Sequence, residues 1–419
     1  MHDQSPGVLL VWRGFGRVYG GGVERFLEQS LRYLTDFGFE PYILDLSGGT
    51  CSFGPDFDHF SDRIIDGPES SMWPTAPSFN LQRTWARLRK LNIRLAVFHE
   101  PTDLRKVGYL PQNLPVLLVC HSDPLSPDYY KTIKRFSPRV ARFVCVSDVI
   151  AAKLHATLSP TRSKIRKIRM GIEPICFKRR SKADVLRIVY VGRLENESKR
   201  IMDIVPFIEE LEALGVDYRL SIIGDGDKKH LLKNELDRLD VGSRVKLLGG
   251  LRHREAMKRL SRSDALVLFS QYEGLPFCVL EALSYSVVPI VTRLESGFSE
   301  ILRNNANALF FDVGQPSQAA QIVKSLADDP ELLSKLQCAA GAAGARFSVD
   351  ETMKSFADLF FEITAVNPVS IQDWDWRRAW RLRIRLKFTS STAWKIMGWF
   401  WHSLPLSLRR PLRRALTGV

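Results

Sequence analysis

The sequence predicts an α/β protein of two doubly wound, parallel-sheet domains followed by a basic, Trp-rich C-terminal extension. Three observations carry that prediction. Short apolar runs rich in β-branched residues alternate with amphipathic stretches of helical length along most of the chain, the pattern of successive βαβ units. At 419 residues, 45% of them hydrophobic, the chain can build two or three domains with full cores, which excludes a disordered protein or a coiled coil. The alternation breaks at residues 172–182, where a proline, a basic cluster and the loss of apolar period mark a linker. The expected divisions are residues 1–175 and 176–350 for the two domains, 351–366 for a helix returning to the first domain, and 367–419 for the extension.

In the first domain, strands are expected at residues 8–12, 41–45, 95–99, 116–120 and 142–146, with helices such as 23–36 and 81–91 between them. In the second, strands are expected at 187–191, 218–223, 245–247, 265–269 and 288–292. Helices there are expected at 201–214, 228–239, 254–261, 276–284 and 315–326. Open α/β sheets bind ligands beyond the carboxyl ends of their strands, so two such domains facing each other place both binding edges on one cleft.

Charge is unevenly spread. Of the net +14, residues 367–419 supply +9, from eleven Lys/Arg against two Asp/Glu, and the same stretch holds six of the nine Trp. The body is close to neutral and has no basic stripe interleaved with aromatics, so the basicity of the whole chain does not argue for nucleic-acid binding. Cys51, Cys120, Cys145, Cys176, Cys278 and Cys338 form no CxxC pair; they read as reduced thiols rather than a disulfide frame or zinc site. The opening MHDQSP lacks the basic and long apolar regions of a secretory signal, and no run reaches 18 apolar residues. The expectation is a cytoplasmic chain, or one held at the inner face of a membrane.

Several strand ends carry residues suited to chemistry. After the first strand comes RGFGRVYGGG, residues 13–22, and then a helix start. Glycines let a backbone approach a ligand closely, and a helix N-terminus offers N–H groups to a phosphate, although a plain turn explains the same glycines. The strongest local pattern follows the strand at 265–269: SQYEGLPFCVLEAL, residues 270–283. Glu273 falls in the turn, Pro276 suits the first helical position, and Glu281 lies more than one turn further on. The backbone of Gly274, Leu275, Pro276, Phe277 and Cys278 then faces the cleft as a seat for a diphosphate, with the two carboxylates free to take sugar hydroxyls. A helix start with one exposed and one salt-bridged Glu reads equally.

Arg193 and Lys199, six residues apart after the strand at 187–191, suit the neutralisation of a diphosphate leaving group; solvated surface cations are the plainer reading. Asp225, in IIGDGD, reads as a turn residue. His121 directly follows the strand at 116–120, where an imidazole can donate to a sugar hydroxyl or a reacting oxygen, or simply complete the core. His99, Glu100 and Pro101 close a similar strand.

Taken in order, these residues resemble the retaining glycosyltransferases of family 4, whose GT-B fold pairs two Rossmann-like domains. The resemblance covers roughly residues 8–365. It rests on Gly20, Gly21 and Gly22 followed by Val23 and Glu24, on His121, on VCVSD at 144–148, on YVGRL at 190–194 with Lys199, on IIGDG at 222–226, and on Glu273-x7-Glu281. The resemblance implies that Arg193 and Lys199 hold the donor diphosphate, that Glu273 binds donor-sugar hydroxyls and that Glu281 binds the ribose. It places Gly21 and Gly22, with Gly20, along the donor near the distal phosphate, and His121 against the sugar beside the reaction centre. It also implies a first domain on the acceptor side, no divalent metal, no cofactor beyond a UDP-, GDP- or ADP-sugar donor, and front-face attack that retains the anomeric configuration. The acceptor implied is a saccharide or a lipid-linked one, in bacterial surface polysaccharide or lipopolysaccharide synthesis.

The sequence departs from the family pattern in three places. Residues 293–300, RLESGFSE, stand where two adjacent glycines are common; the segment between Arg193 and Lys199 is acidic; and Arg169, Met170 and Gly171 lack the usual Pro-Asn. Within the extension, residues 374–414 set Trp beside Arg and Lys, which suits an anionic membrane surface. Packing on the body, an oligomer contact and an anionic polymer are the competing readings. Two other functions stand against the transferase. A nucleotide-sugar epimerase of the same architecture would need more cleft histidines than the single good one evident, and a non-catalytic membrane-associated adaptor would bind no nucleoside diphosphate.

Overall fold

The computed structural model describes residues 5–13, 21–46, 55–67, 84, 86–124, 126–158, 163–173 and 185–366. Gly20, Cys51, Cys176, residues 174–182 of the expected linker and the whole extension 367–419 lie outside the described residues.

Two parallel sheets organise the chain. The first contains β1 (Gly7–Trp12), β2 (Glu40–Asp45), β3 (Ile64–Asp66), β4 (Ile93–Phe98), β5 (Val116–Cys120), β6 (Arg142–Cys145) and β7 (Ile165–Lys167), in the spatial order β3-β2-β1-β4-β5-β6-β7. The second contains β8 (Leu186–Val191), β9 (Tyr218–Ile223), β10 (Val245–Gly249), β11 (Ala265–Leu268), β12 (Val288–Thr292) and β13 (Leu309–Phe311), in the order β10-β9-β8-β11-β12-β13. Each sheet starts at its centre, winds to one edge and then fills the other side. The winding reverses between β1 and β4 in one sheet and between β8 and β11 in the other, the points where such sheets bind ligands.

Among the described residues the first domain has the helices α1 (Gly22–Tyr33), α2 (Pro127–Phe136) and α3 (Asp148–Thr157), and residues 84 and 86–88 are helical within the stretch expected at 81–91. The second domain has α4 (Ile204–Ala213), α5 (Lys229–Arg238), α6 (His253–Leu260), α7 (Phe277–Ser284), α8 (Phe298–Ile301), α9 (Pro316–Asp328) and α10 (Pro330–Gly344), and α11 (Val349–Val366) follows. Every residue of β1, β5 and β12 is buried, which is why these strands read as continuous apolar runs and not as alternating ones. The expected strands appear within two residues of their predicted ends. The edge strands β3, β7 and β13 are three residues each, too short to leave a periodic signal. The apolar pattern gives no comparable warning of α8, which has four residues, or of α10, whereas α2 is as amphipathic as α1 although it is not among the expected helices.

The chain crosses between the domains twice, side by side. Ile172 pairs with Ser348 in an isolated parallel bridge, its N–H donating to Phe347 O (3.2 Å) while Val349 N–H donates to Ile172 O (3.2 Å). A Cβ on Gly171 would fall 2.0 Å from Ser348 O, so the second crossing can run this close only past a glycine. Beyond it, α11 lies on the first domain. Phe356 meets Phe26 (4.9 Å between ring centres), Phe360 and Phe361 meet Phe39 (5.5 and 4.5 Å), and Glu362 pairs with Arg142 (2.5 Å). Among the described residues no helix is long and apolar enough to cross a membrane.

Candidate active site

The carboxyl ends of both sheets enclose one cleft of about 800 Å³, lined from the first domain by Gly21, Gly22, Glu24, Glu100 and His121 and from the second by Arg193, Lys199, Glu273 and Glu281, among others. Nearest neighbours in sequence do not build it. Residues more than 70 positions apart meet because four strand ends converge.

On the second-domain wall the groups are charged and paired. The loop after β8 carries Arg193, whose guanidinium lies 3.2 Å from Glu195 and 3.3 Å from Ser198 Oγ. The acidic segment that departs from the family pattern thus supplies the partner of Arg193. Ser198 O accepts from Gln271 N–H (2.8 Å), which ties this loop to the one after β11. Lys199 forms an ion pair with Glu273, and Ser270 Oγ donates to the same carboxylate oxygen (2.6 Å). The side chains of Lys199 and Glu273 are only 12% and 9% exposed, so this pair is nearly out of water.

Pro276 stands one residue ahead of α7 in an extended conformation (φ −72°, ψ 127°) rather than inside the helix, and no side chain caps the helix start. That leaves the first turn of α7 open to a ligand. Leu275 and Phe277 are themselves buried, so their part in a donor site runs through the backbone. Cys278 lines the cleft with its thiol pushed up to about 12 by burial, which makes it an inert neutral side chain. Glu281, in mid-helix, accepts from His253 Nε2 (2.6 Å). Burial raises the Glu281 pKa, but the His253 charge and hydrogen bond outweigh it and hold the carboxyl below its ordinary value.

The first-domain wall is different in kind. His121 Nε2 is bonded to His99 Nδ1 (3.0 Å), and both rings lie against Phe26 (centroids 5.6 and 5.3 Å). Burial drives His121 down to about 3; burial and then the neighbouring imidazole drive His99 well below its usual value, so both rings are neutral. The loop that carries His121 is pinned by Asp123, which accepts from Tyr130 OH (2.8 Å) and pairs with Lys153. Glu100, beyond β4, is pushed up to about 8 by burial and then by Asp103. Glu24, in the first turn of α1, is raised by burial, and its Oε2 is buried without a hydrogen-bond partner.

The walls touch in several places. A Cβ on Gly274 would fall 1.8 Å from His121 O, and one on Gly22 would fall 3.1 Å from Phe277, so glycines set how closely the two loops approach. Glu300 accepts from Asp148 N–H at the start of α3 and pairs with Lys167 at the end of β7. The loop at 293–300 therefore holds the two domains together, and its Gly297 N–H donates to Gly274 O (2.9 Å). Asp225 behaves as a turn residue: its carboxylate accepts from Gly226 N–H and pairs with Lys229.

The structure thus gathers His121, Arg193, Lys199, Gly21, Gly22, Glu273, Gly274, Leu275, Pro276, Phe277, Cys278 and Glu281 on one cleft. It also adds groups the sequence left unremarked. His253 opens α6 and shows no local pattern; its importance lies in reaching Glu281, 28 positions away. The expectation of a single good cleft histidine is corrected: His253 lines the cleft with His121, and His99 backs it. A shortage of imidazoles therefore no longer argues against an epimerase. Among the described residues no group of three or more His, Cys, Asp or Glu is placed to hold a metal ion.

Two family models match the chain in tandem. Residues 20–174 match Glycosyltransferase Family 4, and residues 172–341 match Glycosyl transferases group 1. From residue 20 to residue 341 the chain is thus similar to glycosyltransferases of this type. The boundary between the two matches falls on the crossing at Ile172. Among related proteins, glycogen synthase of Mycobacterium tuberculosis is 30% identical over 174 residues, which is 41% of this chain and 42% of that protein. The match therefore spans less than half of that relative's length. Alpha-monoglucosyldiacylglycerol synthase of Acholeplasma laidlawii is 22% identical over 68% of this chain and 80% of its own. Among solved structures, HepE of Anabaena in complex with UDP-glucose superposes with a TM-score of 0.65 at 15% identity, covering 85% of this chain and 99% of that one. At that identity the likeness establishes the two-domain GT-B architecture of this chain.

Proposed function

We propose that the protein is a retaining glycosyltransferase that moves a sugar from a nucleoside-diphosphate donor to a saccharide or lipid-linked acceptor. The observation that carries this reading is the Lys199–Glu273 pair beside Arg193 and the open start of α7, two cations and a helix N-terminus converging at the switch point of the second sheet. An ion pair this enclosed is poised to be divided: Lys199 turns to the diphosphate and Glu273 to hydroxyls of the sugar. Glu281 takes the ribose, and Gly21 and Gly22 lie along the distal phosphate.

In the transfer, the bond between the anomeric carbon and the diphosphate oxygen breaks with its electron pair going to the diphosphate, where Arg193 and Lys199 meet the new charge. The acceptor hydroxyl forms the new bond on the same face, and its proton goes to the departing phosphate oxygen. His121, neutral in its enclosed position, contacts the sugar beside that centre. The charge of the leaving group is met by side chains and amides, so the mechanism runs without a divalent metal. Anabaena HepE in complex with UDP-glucose supports a UDP-sugar as the first donor to try.

The acceptor side is the first domain, and the membrane is its setting. Alpha-monoglucosyldiacylglycerol synthase is by its name a glycolipid enzyme, and a relative 28% identical over 179 residues is a lipopolysaccharide core biosynthesis glycosyltransferase of Rhizobium meliloti. Residues 374–414, with their Trp and Arg, would hold the enzyme peripherally on the anionic inner face of the cell membrane, in surface polysaccharide or lipopolysaccharide synthesis.

The test is a thermal-shift screen of UDP, GDP and ADP, followed by NMR of the sugar released or transferred from the matching nucleotide sugar. Stabilisation by one nucleotide and an α-configured product from an α-configured donor are expected. No stabilisation by any nucleotide would favour the adaptor, and a β-configured product would remove retention.

A further inference from the structure

The donor reading assigns the ribose hydroxyls to Glu281. A carboxylate serves a vicinal diol well only when it is ionised and held in one orientation, and Glu281 sits where both conditions are hard to meet: it is 6% exposed on α7, and burial disfavours a carboxylate's charged form. The structure supplies a remedy from the neighbouring helix. His253, the first residue of α6, brings Nε2 to 2.6 Å from Glu281 Oε1. A carboxylate has no proton to give, so the imidazole N–H is the donor. That bond occupies one of about four acceptor positions on the carboxylate and leaves the others for a ligand.

His253 is itself fixed from the far side of the cleft. Its backbone N–H donates to Oδ2 of Asp56 (3.0 Å), a first-domain residue from the turn between β2 and β3. Asp56, His253 and Glu281 all line the cleft. The contact therefore runs from the first domain, through the start of α6, to the carboxylate in the donor half.

We propose that His253 is a positioning residue of the donor site: its imidazole holds Glu281 as an oriented carboxylate that receives the ribose cis-diol of a nucleoside diphosphate. The proposal rests on the donor reading above and adds a residue that acts through Glu281 and not on the sugar itself. It predicts that selectivity for a ribonucleotide, as distinct from affinity for its diphosphate, depends on the imidazole.

The test uses the full chain and isothermal titration with UDP, GDP or ADP, whichever binds most tightly, beside its 2′,3′-dideoxy form. His253→Ala removes the imidazole yet keeps the backbone N–H that meets Asp56. Relative to wild type, the Ala variant should bind the ribonucleotide about tenfold more weakly, as loss of a hydrogen bond to a charged group implies, and bind the dideoxy form unchanged. Donor KM should rise by a similar factor with kcat within about threefold. His253→Gln, whose amide nitrogen reaches the Nε2 position, should recover most of the selectivity; a merely structural role would lower both nucleotides' affinities together. Wild-type selectivity in the Ala variant, or no recovery by Gln, overturns the proposal. Glu281→Gln separates the two levels. If it abolishes selectivity while His253→Ala does not, His253 is dismissed and the donor reading stands. If Glu281→Gln also leaves selectivity intact, or no nucleotide binds the wild-type chain, the donor reading itself fails.

Discussion

The two walls of the cleft solve opposite electrostatic problems. On the second-domain wall, Lys199 with Glu273 and Arg193 with Glu195 keep charges in place by pairing them, and the His253 imidazole is hydrogen-bonded to the Glu281 carboxylate. On the first-domain wall Arg25 and Glu28 are also paired, but His99, His121, Glu24 and Glu100 are not held as ions: their shifts all favour the neutral form. The difference teaches which half can meet a diphosphate. Charges already paired in a low-dielectric pocket can be handed to a ligand without the cost of creating them there, whereas neutral groups can exchange hydrogen bonds with sugar hydroxyls without repelling or trapping an ion.

The largest expected effect breaks the paired wall. Glu273→Ala leaves the Lys199 ammonium enclosed without its carboxylate and should destabilise the fold by about 3–5 kcal/mol in urea unfolding. Adding Lys199→Met should restore part of that loss. A single variant as stable as wild type would mean that Lys199 is not held as a buried ion. The next effect is on rate: Arg193→Ala and Lys199→Ala should each lower kcat for nucleotide release by roughly 10²–10³, about 2.7–4 kcal/mol of leaving-group stabilisation. Near wild-type turnover in the combined variant would remove these cations from the proposed chemistry.

The neutral wall is probed by pH. Folded Glu100 keeps its proton up to about 8, whereas the unfolded carboxyl loses it near 4.5. Between these values the native state binds more protons, so stability from this group is full below the lower value and falls as pH rises through the window, by at most about 1.4 kcal/mol per pH unit. Melting curves from pH 6.5 to 8 should show this decline in wild type and a flatter profile in Glu100→Gln. Equal slopes would show that Glu100 is ionised and place it with the charged wall. The smallest effect concerns how the walls are held together. Glu300→Gln weakens the pairing with Lys167 and the contact with the start of α3, at a cost of about 1 kcal/mol or less for a partly exposed site. Its clearer readout is faster proteolysis or hydrogen exchange at the α3 start, and unchanged exchange would place the closing contact elsewhere, for example at Gly274.

Much of the architecture was legible because strands buried on both faces must be apolar throughout, so β1, β5 and β12 announce themselves, whereas three-residue edges such as β3 and β13 carry too few residues to show a period. The candidate site was legible where its residues follow a strand directly, as His121 and Arg193 do. It was illegible where a partner comes from another element: nothing near His253 points to Glu281, and nothing in residues 293–300 points to Lys167 and Asp148.

The sequence by itself determined the two α/β domains and the residue types standing at the strand ends, because burial pattern and chain order are local properties. Only the tertiary structure decided which of those residues are charged and which are neutral. That depends on what each side chain faces across the cleft: buried Glu281 meets an imidazole and stays ionised, while half-buried Glu100 meets Asp103 and keeps its proton, and two carboxylates of the same kind acquire opposite states.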